Sequence, residues 1–113
     1  MKKKPKLVLN IKGIDWTFNV QTETAFRKMH GLNGKNAEAI IYPHDREVYF
    51  SSVYLSPYSV RHELAHVYVA STNTSSMTSM TVDDMEELFA DIIGEHLDQI
   101  QELTSKILNH FLR

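Results

Sequence analysis

A chain of 113 residues, 42% apolar and 23% charged, has room for one soluble domain around one core. Its formal net charge of −2 gives no overall electrostatic footprint for nucleic acid, and no apolar run reaches membrane-spanning length. The absence of cysteine excludes disulfides and thiolate ligands, so any zinc must be held by His and carboxylate.

Residues 1–5 read as a flexible basic tail, with Lys2, Lys3, Lys4 and Lys6 as a solvated cluster. No signal-peptide core follows that basic start, and with no cysteine in the chain the expectation is a cytoplasmic protein. Leu7, Leu9 and Ile11 alternate, Lys12 to Asp15 turns, and Trp16, Phe18 and Val20 alternate again, which predicts two short strands. Gln21 to Thr24 offers caps for a short helix through His30, ended by Gly31 and Gly34. Ala39 to Tyr42 and Glu47 to Val53 predict two strands around the turn Pro43 to Arg46. Ser56 as N-cap and Pro57 in the first helical position open a helix to about Ala70. Ser71 to Thr81, rich in Ser, Thr and Met, reads as a loop. Asp83 or Asp84 then caps a final helix to about Leu112, with Phe89, Ile93, Ile100, Leu103, Ile107 and Phe111 as its inner stripe. No repeat or linker is visible. The order of strands first and helices after predicts an α+β domain with a short mixed or antiparallel sheet.

The penultimate helix carries Arg61-His62-Glu63-Leu64-Ala65-His66, an HExxH sequence. Positions i and i+4 share a helix face, so His62 and His66 can offer two imidazoles to one ion. Glu63, offset from that pair, can take a proton from water held there. An ordinary amphipathic helix that happens to carry two histidines is the bland alternative. A catalytic zinc site has a third protein ligand. Glycine three residues after His66 and a third His three beyond would supply one pattern, but those positions are Val69 and Thr72. The other pattern takes a carboxylate from the next helix. Glu87 and Asp91 lie at i and i+4 with Gly94 on the same stripe, so Glu87 can be the ligand and Asp91 can accept an imidazole N–H. Glu86 lies nearer the apolar stripe and is the alternative third ligand, or complements the helix dipole. His96, roughly opposite Glu87 on the helical wheel, is discounted as a ligand. His110 is expected to complement the helix C-terminus, while His30 and His44 sit at a helix end and in a turn. The oxyanion-stabilising group is not identified, with Tyr54, Tyr58, Tyr68 and His44 as candidates. The strand from Glu47, if at the sheet edge, could pair with an extended peptide.

The run His62-Glu63-Leu64-Ala65-His66, followed by Glu87-Leu88-Phe89-Ala90-Asp91, resembles the gluzincin class of zinc metallopeptidases, with HExxH on one helix and ExxxD on the next. It is similar to the minimal single-domain members, to small metallopeptidase-like proteins of phages and mobile elements, and more loosely to the ImmA/IrrE group, which has Asn where Asp91 stands. The resemblance covers about residues 39 to 100. It implies a zincin-like domain with one zinc ion per chain, held by His62, His66 and Glu87. It further implies Glu63 as general base and acid, Asp91 behind a ligand imidazole, and a peptide or protein as substrate. Neither a membrane nor a nucleic-acid partner is expected. The chain is too short for the second domain that completes the cleft of full-size gluzincins, so a latent peptidase or an inactive zinc-binding interaction module is also open.

Overall fold

The computed structural model describes residues 5–31, 38–72 and 81–112, and the predicted tail at 1–4, Gly34 and most of the loop before Thr81 lie outside them. Strand β1 (Leu7–Ile11) pairs antiparallel with β2 (Ile14–Gln21). The turn is tighter than the expected four residues. Lys12 and Gly13 alone make it, at φ 54° and 81°, the two left-handed positions of a type I′ hairpin. Asn10 explains the economy: its Oδ1 accepts the Gly13 N–H (3.2 Å) and its Nδ2 donates to Asp15 Oδ1 (3.0 Å).

Helix α1 (Glu23–His30) is capped by Thr22, whose hydroxyl accepts the Ala25 N–H, and is closed by Gly31 at φ 57°. Strand β3 (Ala39–Tyr42) then turns through Pro43 to Arg46 into β4 (Glu47–Ser51). The sheet order is β1-β2-β4-β3, with β2 and β4 parallel. The sheet is therefore mixed, in a small α+β domain. Two expectations for β4 are corrected. It ends at Ser51, because Ser52–Tyr54 coil into a 3-10 turn. It is also an inner strand, bonded to β2 and β3, so it has no free edge for a peptide. Among the described strands, β3 lies at the sheet edge on that side.

Helix α2 (Pro57–Thr72) starts where Ser56-Pro57 predicts and runs slightly further than expected. Ser56 and Ser59 cap it reciprocally: each hydroxyl accepts the other's backbone N–H, at 3.2 and 3.0 Å. Helix α3 (Val82–Leu112) has 31 residues. Its cap is Thr81 rather than Asp83 or Asp84. Thr81 Oγ1 accepts the Asp84 N–H (3.1 Å) while the Asp84 carboxylate accepts the Thr81 N–H (3.3 Å). Asp84 is thus the second half of a capping box.

One sheet face, with Trp16, Phe18, Val48 and Phe50, packs on Val60, Leu64, Val67 and Tyr68 of α2 and on Ile92, Ile100, Leu103, Ile107 and Phe111 of α3. The inner stripe of α3 differs from the expected one in its first half. Leu88 and Ile92 turn to the core, whereas Phe89 and Ile93 are exposed. The two helices run antiparallel. Ser71 bonds Trp16 near the β1–β2 turn and His96 reaches Lys12 in that turn, while His110 bonds the Pro5 carbonyl at the other end of β1. His110 thus ties the first described residue to the last helix. The residues of α3 before His96 run on past the hairpin end of the sheet.

The other sheet face carries α1. His30, expected merely at a helix end, is buried there against Phe26, Tyr42 and Tyr49, with ring centroids 4.7, 5.5 and 4.9 Å away. Its Nε2 meets Gln21 Oε1 (3.0 Å), which can only accept, so Nε2 carries the proton and Nδ1 of the neutral ring accepts from the Tyr42 hydroxyl (2.6 Å). Burial holds the His30 pKa below the ordinary imidazole value. The unfolded chain therefore takes up this proton first as pH falls. Stability is full above about pH 6.5 and declines as pH drops from there toward the lower folded value. Urea midpoints at about pH 7.5 and about pH 5.5 should show a loss on acidification that His30→Gln reduces. An identical loss in the variant would place the titrating group elsewhere.

Candidate metal centre

The 3-10 turn and the capping box aim the first two turns of α2 along the sheet, and the helix period does the rest. Val60, Leu64 and Val67 face the core. His62 and His66, one turn apart, stand on the exposed side. Their Nε2 atoms are 3.3 Å apart and their rings meet edge to face at 5.0 Å. Tyr58, one turn earlier, stacks on His62 with centroids 5.9 Å apart.

Glu63 lies between the exposed and buried faces. Its side chain is 10% exposed against 53% for His62, and Glu63 Oε2 is 3.9 Å from His62 Nε2. Burial pushes the Glu63 carboxyl above its ordinary pKa, against the opposing pull of His66 and His62. A carboxylate raised in this way is a better proton acceptor than an exposed one. Among the described residues, His62, Glu63 and His66 are the group whose ligand atoms all lie within 4.8 Å of one another.

A cleft of about 220 Å³ opens beside them, lined by Glu38, Ala39, Tyr58, Ser59, His62 and Glu63. Its far wall is the start of the edge strand β3. Glu38 is the residue that sequence reasoning missed. Nothing local marks it; it reaches the cleft because its carbonyl accepts the Ser51 N–H (3.0 Å), which fixes its backbone to β4.

The donor chemistry suits zinc. Two imidazole nitrogens at tetrahedral zinc, each about 2.0–2.1 Å from the ion, stand roughly 3.3 Å apart. The observed separation is 3.3 Å. Without an ion, the same distance also suits one N–H···N hydrogen bond between the two rings.

The structure does not bring the α3 carboxylates to this group. Glu86, Glu87 and Asp91 are exposed and none belongs to it. The helix register is the cause. Tyr68 of α2 stacks on His96 at 4.8 Å and bonds Gln99. Glu87, nine residues before His96, therefore stands about 13 Å further along the α3 axis, away from His66. The expected burial of the Glu87/Asp91/Gly94 face is corrected too. All three are exposed, and a Cβ added at Gly94 would meet nothing within 4 Å. His96 is outside the group and packs on Tyr68. Of the four oxyanion candidates, Tyr58 is at the cleft. Tyr68 is buried against α3, and Tyr54 and His44 are not among the lining residues. No helix among the described residues is long and apolar enough to cross a membrane. Comparison with protein-family models, curated proteins and solved structures finds no significant match.

Proposed function

We propose that this chain is a single-domain, gluzincin-like zinc metallopeptidase. The observation that supports the reading is the pair of exposed imidazoles at zinc-ligand separation beside a buried carboxylate. His62 and His66 would hold the ion. When bound, zinc supplies the Lewis acidity that makes water a nucleophile near neutral pH and polarises a carbonyl. Glu63 takes the proton of the attacking water and delivers it to the departing amine as the peptide bond breaks. An extended peptide pairs along the outer edge of β3, an edge strand among the described residues, which brings its carbonyl past Glu63. Tyr58, the oxyanion candidate that lines the cleft, would donate its hydroxyl to the developing oxyanion. The second reading, a zinc-binding interaction module without activity, draws support from the small size of the cleft, about 220 Å³.

The third ligand in this reading is Glu87, with Asp91 accepting a ligand imidazole N–H and Glu86 as the alternative. That assignment requires the segment of α3 carrying Glu87 to move back toward His66, over an offset of about 13 Å along the helix axis, when metal binds. Zinc titration tests it. Protein purified without a metal-affinity tag should carry about one zinc per chain. Glu87→Ala should weaken binding by roughly 10-fold or more, and Glu86→Ala little. If Glu38→Ala produces the large loss instead, the third ligand comes from the strand side of the cleft. No zinc uptake by the wild type would remove both readings.

A further inference from the structure

The first half of α3 carries a surface that the cleft does not use. Val82, Phe89, Ile93 and Leu97 are 72%, 50%, 60% and 43% exposed. They recur at intervals of seven, four and four residues, so they form one row along the helix. This row is distinct from Leu88 and Ile92, which face the core. Scattered apolar residues on a surface need no explanation, but an aligned row of four large ones marks a contact surface.

The net charge of this helix segment selects its occupant. Residues 82–98 contain seven carboxylates and no lysine or arginine. Asp83, Asp84, Glu86, Glu87, Asp91, Glu95 and Asp98 are all exposed. A second copy laid row against row would bring these two acidic sets together, and an anionic lipid surface would be repelled in the same way. We propose that this face docks a basic amphipathic helix of another protein. The apolar side of that helix packs on Phe89, Ile93 and Leu97, and its lysines and arginines pair with the carboxylates nearest the row, Glu86 within it and Asp83 beside it. None of the row's apolar residues lines the cleft, and without metal the movement of α3 that the Glu87 assignment requires does not arise.

The test uses the full chain in EDTA, so that zinc plays no part. The probe is a fluorescent synthetic helix with leucine on one face and lysine on the other, beside a counterpart with glutamate for lysine. The lysine helix should bind and the glutamate helix should not. Phe89→Ser/Ile93→Ser should weaken binding by at least about 10-fold. Asp83→Asn/Glu86→Asn, which leaves every apolar residue in place, should weaken it and reduce its salt dependence. That second pair decides the matter if the serine pair does not fold. No binding of the lysine helix, equal binding to the wild type and the serine pair, or unchanged binding and salt dependence in the asparagine pair would overturn the proposal. So would a wild-type dimer in sedimentation that the serine pair abolishes.

Discussion

Glu63→Gln should keep zinc bound and lower peptide hydrolysis by about 100-fold or more. The substitution preserves shape, so the His62 and His66 nitrogens should keep their 3.3 Å spacing. What it removes is the capacity to accept a proton. The effect is expected to be large because burial raises the Glu63 pKa and leaves its carboxylate the buried acceptor beside the two imidazoles. Zinc content and cleavage of an unstructured peptide mixture, measured on the same preparations, make the check. Cleavage of general substrates such as casein should be slow, because a cleft of about 220 Å³ offers few groups to hold a substrate in the attack geometry. Equal cleavage by wild type and Glu63→Gln would remove Glu63 from the chemistry. Zinc binding with no cleavage of any peptide by the wild type would favour the interaction module.

Phe50→Ala should cost about 3–5 kcal/mol of stability, a large share of the roughly 5–15 kcal/mol that holds a small domain folded. Phe50 is fully buried, opposite Val20 on β2 and Ala39 on β3, with both long helices packed over its face of the sheet. Its loss opens a cavity that the surrounding strands and helices cannot close without breaking their own packing. Phe89→Ala is the informative contrast. Because Phe89 is exposed, its removal should change stability by less than about 1 kcal/mol. Urea unfolding measures both. A Phe89 variant as damaged as the Phe50 variant would show that α3 packs through the stripe first expected from the sequence.

That contrast shows where the sequence was legible. Alternation marked both edges of the β1–β2 hairpin, and Ser56-Pro57 marked the start of α2, because these signals are local and chemical. HExxH was legible for the same reason: its face is set by one turn of helix. The first half of α3 was not, because Leu88, Ile92 and Phe89, Ile93 form two neighbouring apolar rows. Helical period alone cannot choose between them. The choice is made by Tyr68 stacking on His96, a contact between residues 28 apart. The same register left Glu87 and Asp91 away from the histidines. The central place of β4 was also hidden, since its parallel partner β2 is separated from it by a whole helix and strand. Glu38 was invisible because its position depends on that pairing.

The parallel seam between β2 and β4 also orders the assembly of the molecule. Each hairpin, β1–β2 and β3–β4, closes over a few residues and can form early, whereas Thr17 meets Glu47 across 30 residues of chain. Closing that longer loop carries the larger entropy cost, set by the logarithm of its length, before any contact rewards it. The seam is where two locally formed halves join, and its closure sets the pace at which the sheet becomes continuous.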